Sequence, residues 1–201
     1  MPSSTLSTLQ RIRNILRTPA SEWLVIERET MQPLVLITHY LAPLAVATAL
    51  ASIVGSVVVE RVPFPVASVV RTIVTAMLGF VATTVLAFAM ALIVNELSPH
   101  LGGRHHFDQA FKVVVYSYTP ILVAGLAGAI PFVAGLVTFI GTVYALYVFY
   151  LGLKQLMRIR AEHTVGFVVL LSVSGVIMNF VLRAVMGHFI GPGFLGARII
   201  S

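Results

Sequence analysis

The chain has 201 residues, of which 58% are hydrophobic and only 10% are Asp, Glu, Lys or Arg. Because soluble domains contain about 25% charged residues, this composition excludes an ordinary soluble globular protein. The sequence contains no cysteine, which also excludes disulfide bonds, thiolate catalysis and cysteine-ligated metal sites.

Long apolar stretches occupy most of the chain. The hydrocarbon core of a bilayer is roughly 30 Å thick, and a helix needs about 20 mostly apolar residues to cross it. The stretches of sufficient length are Pro33–Val59, Arg71–Leu97, Val113–Ile130, Phe132–Leu156 and Gly166–Gly187. They predict an all-α polytopic membrane protein with five transmembrane helices over residues 33–187, a cytoplasmic interfacial segment over 1–32 and a short extracytoplasmic tail over 188–201.

The net charge of +6 is distributed unevenly across the predicted membrane. The basic residues on one side are Arg11, Arg13, Arg17, Arg28, Arg104, Lys112, Lys154, Arg158 and Arg160, and those on the other side are Arg61, Arg71, Arg183 and Arg198. By the positive-inside rule, nine against four predicts a cytoplasmic N-terminus and a C-terminus outside. The positive charge is therefore interpreted as a topology signal, and no nucleic-acid partner is expected.

The first predicted element is a short amphipathic helix over residues 6–17. Its aliphatic side chains share one face: Leu6, Leu9, Ile12, Ile15 and Leu16. Arg11, Arg13 and Arg17 are available for the polar side. This pattern is typical of a helix that lies in the membrane interface with its arginines on anionic headgroups. A disordered basic tail is the alternative.

A second short helix is predicted after Thr18-Pro19, where the threonine is suited to the N-cap and the proline to the first turn. Trp23 is the only tryptophan, and because an indole prefers the membrane interface, we expect it to anchor this segment. Glu22, Glu27 and Glu29 are interpreted as a solvated face, with binding of a partner protein as the alternative.

Small residues recur at intervals of four in two of the predicted spans. Ala47, Ala51 and Gly55 form such a stripe in span one, and Gly141 and Ala145 form another in span four. Small side chains let helix backbones approach closely in lipid. The stripes therefore predict helix–helix contacts, and a homo-oligomer is one arrangement that would use them.

Spans three and four meet at residues 129–132, too short for a conventional loop, which predicts a tight helical hairpin. The alternative is one long kinked helix, with four crossings in total. Within span three, Pro120 is expected to unwind the helix beside Tyr116 and Tyr118, because proline donates no backbone hydrogen bond. Broken helices of this kind line the binding sites of transporters.

The densest polar stretch lies between spans two and three: Asn95, Glu96, His100, Arg104, His105, His106, Asp108 and Lys112. His105, His106 and Asp108 are the candidate metal ligands. However, adjacent histidines point apart on a regular element, and no pair has a recognised ligand spacing. We therefore favour a hydrated loop without a bound metal, in which Asp108 and Lys112 are spaced for an i, i+4 ion pair.

Known catalytic motifs are missing. Asp108 is the only aspartate, whereas aspartyl intramembrane proteases need two, and neither HExxH nor GxSxG occurs. The sequence therefore predicts neither an enzyme nor a cofactor.

Ionisable residues inside membrane spans are costly and are functional candidates by default. His39 lies in span one, and Arg183 lies near the outer end of span five, where its side chain can reach the interface as an anchor. The candidate functional polar cluster consists of Glu96, Asp108, Lys112, Tyr116, Tyr118, Pro120 and His39. Membrane anchoring is assigned to Arg11, Arg13, Arg17, Trp23 and Arg183.

Several short motifs, in order and spacing, resemble those of bacterial members of the Yip family (Ypt/Rab-interacting membrane proteins). The main one is FDQAFKVVVYSYTP at residues 107–120. It is accompanied by Thr18-Pro19 with Glu22-Trp23, by YALY at 144–147 and by YLGLK at 150–154. The resemblance runs from about residue 18 to residue 187.

The resemblance implies five transmembrane helices with a cytosolic N-terminus, in the inner membrane of a bacterium. Eukaryotic members act in vesicle traffic and bind prenylated Rab-type GTPases, but the Asp-Leu-x-Gly-Pro motif of their N-terminal region does not occur in this sequence.

Two functions are therefore considered. The first is a non-enzymatic bundle that organises membrane or a protein partner at the cytoplasmic face. The second is a conduit for small solutes or ions, with its polar entrance near the loop between spans two and three.

Overall fold

The computed structural model describes residues 7–60 and 66–190, and every regular element in that part of the chain is a helix. The α-helices are α1 (Thr8–Arg17), α2 (Pro19–Arg28), α3 (Pro33–Leu36), α4 (Ala42–Glu60), α5 (Val66–Leu97), α6 (Phe107–Ser117), α7 (Thr119–Gly125), α8 (Pro131–Leu156) and α9 (Ala161–Ile190). A π-helix, Ile37–Leu41, joins α3 to α4, and 3₁₀ turns cover Pro99–Leu101 and Leu126–Ala129.

Five segments are long and apolar enough to cross a membrane: Pro33–Gly55, Ala76–Leu97, Phe107–Ala129, Phe132–Leu156 and Ala161–Leu182. The predicted all-α fold, with five spans preceded by a short helix, is confirmed. The helix of span five, α9, begins at Ala161, five residues before the predicted start of that span. The side chain of Arg183 and residues 191–201 of the predicted tail lie outside the described part.

The buried core is concentrated toward one of the two ends of the bundle. We call the end that holds Pro33, Leu97, Phe107 and Leu156 the proximal end, and the end that holds Gly55 and Ala129 the distal end. The buried core lies toward the proximal end, where α2, α6 and α8 pack together. Much of the remaining surface is apolar, as on α8, where Phe132 is 94% exposed. Such a surface suits contact with lipid tails.

Spans one and three are both irregular, for different reasons. In span one the π-helix changes the hydrogen-bond register, and the carbonyl of His39 accepts a bond of 3.2 Å from the Thr8 hydroxyl. In span three the α-helix breaks at Tyr118, whose amide donates to Val115 three residues earlier. Pro120 follows in the first turn of α7. The break beside Tyr116 and Tyr118 is therefore where the proline predicts it, while the π-helix was not expected.

The predicted hairpin between spans three and four is present, and the single kinked helix is not. Ile130 is the one residue between the 3₁₀ turn and α8, whose first turn contains Pro131. Gly141 lies against α7, since a Cβ at this position would be 2.9 Å from the carbonyl oxygen of Pro120. The small residue thus allows the two antiparallel helices to approach closely.

A second close approach joins spans one and three at the distal end. A Cβ at Gly55 would collide with the carbonyl oxygen of Gly128, which is backbone and cannot rotate away. One turn deeper, a Cβ at Gly125 would lie 2.5 Å from the methyl carbon of Thr48. The glycine of the predicted stripe is therefore used for helix packing inside one chain.

We predict that Gly55→Ala destabilises the protein by about 1–3 kcal/mol, because the added methyl group must push two backbones apart. The matched control is Gly79→Ala in α5, where a Cβ would meet no atom within 4 Å. The control should be neutral or slightly stabilising, since alanine is the better helix former. The measurement is the free energy of unfolding in detergent micelles. Equal effects at the two positions would contradict the proposed contact.

Candidate functional site

The two N-terminal helices are packed into the bundle. At the start of α1 the Thr8 hydroxyl bonds to span one, and at its end the carbonyl of Leu16 accepts a bond of 3.0 Å from the Tyr144 hydroxyl of α8. Tyr144 precedes Leu156 by 12 residues, or about 18 Å of helix. The end of α1 is therefore attached near the middle of a membrane-spanning helix.

Helix α2 lies along the proximal half of α8. The Trp23 indole donates a hydrogen bond of 3.1 Å to the carbonyl of Val148, and the ring fills the space above Gly152, where a Cβ would lie 2.7 Å from it. Trp23 is only 1% exposed. Trp23 was expected to anchor this segment at the membrane surface, but its indole is buried inside the bundle and hydrogen-bonded to α8.

A buried charge cluster lies between α1, α2 and α6. Arg11 is only 4% exposed, and its two terminal nitrogens form ion pairs with the carboxylates of Glu22 and Glu29. The second oxygen of Glu22 accepts a 3.0 Å bond from the Asn14 amide. We call Arg11, Asn14, Glu22 and Glu29 the charge cluster. A guanidinium presents several donors in one plane, which suits simultaneous bonds to two carboxylates.

Lys112, on α6, is a second buried cation, so two cations lie beside the two carboxylates of the cluster. Its side chain is 2% exposed, and its ammonium group donates to the carbonyl oxygens of Ile26, at 3.3 Å, and of Glu29. These carbonyls belong to the C-terminal end of α2, where the helix dipole is negative. Lys112 therefore caps α2. It forms no ion pair with Asp108, which is exposed in the first turn of α6.

The pKa of Arg11 follows from its surroundings. Burial lowers the pKa, but the coulombic influence of Tyr116, Glu29 and Glu22 outweighs burial, and the net pKa lies above the ordinary arginine value. Arg11 is therefore a permanent cation, and both carboxylates depend on it for charge balance.

Aromatic rings enclose the cluster. The guanidinium carbon of Arg11 lies 5.6 Å from the centre of the Tyr116 ring. That ring makes edge contacts with Trp23 and Tyr40, with centroid distances of 6.3 and 4.8 Å. The Tyr40 hydroxyl is 2.7 Å from that of Thr119, at the break in span three. The Tyr116 ring adds a cation–π contact to Arg11, and the low-dielectric surroundings strengthen the attraction between the paired charges.

A second, more exposed set of contacts surrounds Glu27 at the end of α2. Its carboxylate accepts bonds of 2.6 Å from Gln155 and 3.3 Å from Arg158, and Arg104 lies 3.9 Å away. The hydrogen bond from Gln155 has the largest effect on the pKa of Glu27 and lowers it. Burial opposes this shift, whereas Arg158 and Arg104 add to it, so the net pKa is below the ordinary value.

The predicted polar cluster divides into three groups. Lys112 and Tyr116 are buried beside the charge cluster, and Pro120 and Tyr118 lie at the helix break. Glu96, Asp108 and His39 are exposed. The structure thus does not bring the seven residues together at one site.

The predicted surface roles need two further corrections. Arg11 was expected on the polar face of an interfacial helix, but it is buried, while Arg13 and Arg17 are exposed. Glu22 and Glu29 were expected on a solvated face, but they are partners of Arg11. The signal that could have found these pairs is Thr18-Pro19: a helix break there folds α2 back along α1 and brings residues 11 and 22 together.

His105, in the loop between α5 and α6, lies close to two side chains near the end of α5. His105 Nε2 is 3.2 Å from a carboxylate oxygen of Glu96 and 3.0 Å from the Asn95 amide nitrogen. His106 precedes α6 as its exposed N-cap residue. Within residues 7–60 and 66–190, no group of three or more His, Cys, Asp or Glu side chains could hold a metal ion.

Comparison with known proteins agrees with this helical architecture. The family model of the Yip1 domain matches residues 13–183. The chain belongs to the Yip1 domain family. This is a non-enzymatic family of membrane proteins, and its domain here extends from within α1 to the fifth span. No curated protein and no solved structure matches the chain significantly.

We predict that Arg11→Met destabilises this Yip1 domain by about 3–5 kcal/mol, because two buried carboxylates lose their counter-ion. The matched control is Arg28→Met on the exposed surface of α2, which should change stability by less than about 0.5 kcal/mol. The free energy of unfolding in micelles measures both. Similar losses in the two variants would contradict the assignment of Arg11 as the central cation.

The lowered pKa of Glu27 predicts a pH dependence. Folding favours the ionised carboxylate, so its stabilisation is complete above the ordinary pKa of 4.5 and is lost as the pH falls through the lowered value. Near neutral pH the wild type should be more stable than Glu27→Gln by up to about 1 kcal/mol, because the ion pairs are partly exposed.

Unfolding curves of both proteins across the acid range test this difference. The control is Glu162→Gln, an exposed acid at the start of α9. A stability gap at Glu27 that persisted in acid would refute the ionic origin of the effect.

Proposed function

We propose that the protein is a non-enzymatic membrane scaffold that organises protein partners or the surrounding membrane at its cytoplasmic face. The observation that carries this proposal is the burial of Arg11 between Glu22 and Glu29. These ion pairs hold α1 and α2 together, and the bonds from Trp23 to Val148 and from Lys112 to α2 hold the two helices against the spans. One end of the bundle is therefore a fixed surface. A fixed surface lowers the entropic cost of recognition.

We assign the proximal end to the cytoplasm, on the basis of the nine-to-four distribution of basic residues. The membrane would be the inner membrane of a bacterium, as the family resemblance suggests. Membership in a non-enzymatic family supports the proposal that the chain has neither catalytic activity nor a cofactor.

The recognition surface is assigned to the exposed acids at the two helix ends that flank the loop between spans two and three. Asp108 is exposed at the start of α6, and Glu96 is exposed beside His105. Lys112, only four residues after Asp108, is unsuited to this role because its ammonium group is already bonded to α2. The exposed acids are therefore assigned to contact with the partner, whereas the buried lysine stabilises the packing of α2 in the bundle.

A conduit is the second candidate, and the break of span three at Tyr118 is the observation that favours it, since broken helices line transporter sites. However, conduction needs polar side chains that converge across the bilayer. Span hydroxyls such as those of Ser52, Thr84 and Ser172 donate to carbonyls of their own helices instead. The scaffold is therefore the preferred function.

The scaffold proposal predicts a stoichiometric protein partner that depends on the loop acids. Native membranes are cross-linked, the protein is extracted into nanodiscs, and copurifying proteins are quantified by mass spectrometry. Glu96→Ala/Asp108→Ala should lower recovery of the partner about tenfold or more, as expected for the loss of about 1.4 kcal/mol. Unfolding curves verify that the variant remains folded.

The matched control is Glu162→Ala, which removes an exposed acid at the same end and should keep the partner. Unchanged recovery with the double variant would refute recognition by the loop. Liposomes that contain the protein should be no more permeable to ions and small solutes than empty ones. A flux that Lys112→Ala abolishes in a folded protein would favour the conduit.

A further inference from the structure

The outward face of α1 combines basic and apolar side chains. Arg13 and Arg17 are exposed, and Leu9 is 78% exposed. The helix, TLQRIRNILR, contains no acid. Arg11 is neutralised inside the bundle, but neither Arg13 nor Arg17 forms an ion pair anywhere in residues 7–60 and 66–190. The face therefore carries two uncompensated positive charges next to an apolar side chain.

This face has a fixed orientation. Ser7 and Gln10 form reciprocal hydrogen bonds that cap the start of α1. Thr8 ties the same end to the His39 carbonyl, and Tyr144 binds the Leu16 carbonyl at the other end. Because Arg11 also holds the middle of the helix, α1 cannot turn its arginines away without breaking buried ion pairs.

The height of α1 along the spans decides what lies against this face. His39 is six residues, or about 9 Å, from the start of span one at Pro33, and Tyr144 is about 18 Å from the proximal end of span four. Both attachment points lie within membrane-spanning segments. A guanidinium at this height is costly unless it reaches the interface or pairs with an anion.

We infer that the exposed face of α1 binds the phosphate groups of anionic phospholipids through Arg13 and Arg17, with Leu9 in contact with the same lipid. Guanidinium groups bind phosphate by paired, charge-assisted hydrogen bonds. A phospholipid also supplies the apolar surface that Leu9 needs, which a soluble anion does not. Charge complementarity and the exposed Leu9 beside the arginines thus point to the same occupant.

This inference rests on the proposed scaffold role, in which it names the lipid that the scaffold organises. The two are separable because the lipid site uses α1, whereas protein recognition uses Glu96 and Asp108. Loss of lipid binding with intact partner recovery would affect only the inference. Loss of the partner with intact lipid binding would affect only protein recognition.

Native mass spectrometry tests the site directly. The full protein is placed in nanodiscs of phosphatidylcholine with a minority of phosphatidylglycerol, released, and analysed for retained lipid. Wild type should retain phosphatidylglycerol above its share of the nanodisc. Arg13→Gln/Arg17→Gln should weaken this retention roughly 30-fold, as expected for two arginines at about 1 kcal/mol each.

The matched control is Lys154→Gln/Arg160→Gln, which removes the same net charge from exposed residues of the proximal end. The control should retain the lipid, and all proteins should have similar unfolding curves. An equal loss in both double variants would overturn the inference, because retention would then reflect net charge alone. No enrichment in the wild type would also overturn it, as would an acidic protein that occupies the face and is lost with the same variant.

Discussion

The placement of α1 and α2 depends on the ion pairs of one buried arginine. Arg11 of α1 forms ion pairs with Glu22 of α2 and with Glu29, which follows the end of α2. One side chain therefore joins the two N-terminal helices to the segment that leads into span one. A buried ion pair adds little net stability relative to apolar packing, but removal of one partner is expensive. Its main effect here is therefore specificity: other placements of the two helices would leave an unpaired charge.

Lys112 is a second buried cation, and it links α2 to the third span. Its ammonium group bonds to the carbonyl of Ile26, in the last turn of α2, and to that of the C-cap residue Glu29. Trp23 and Gly152 then bring α2 into contact with α8. The polar bonds position the helix end, and the aromatic packing excludes water from those bonds. Together they produce a proximal end that is rigid and internally neutral, surrounded by spans with lipid-facing apolar surfaces.

This arrangement connects the two proposals about function. Because the buried charges are neutralised among themselves, the charged groups that remain outside are available to other molecules. The exposed acids Glu96 and Asp108 flank the loop between spans two and three, and the exposed Arg13 and Arg17 lie on α1. A single fixed scaffold can thus present one surface for a protein and another for anionic lipid. The chain belongs to the Yip1 domain family of non-enzymatic membrane proteins.

The sequence by itself determined the five-span helical bundle, the short helix before it, the break near Pro120 and the tight hairpin before Phe132. These features follow from local properties: apolar length, helix caps and the missing donor of proline. Only the tertiary structure decided that Arg11, Trp23, Glu22 and Glu29 point inward. An amphipathic pattern specifies which residues share a face but not what that face meets, and a second layer of helices replaced the expected membrane surface. Ion pairs across the turn at Thr18-Pro19 allow charged residues that would be exposed on their own to be buried in the core of the protein.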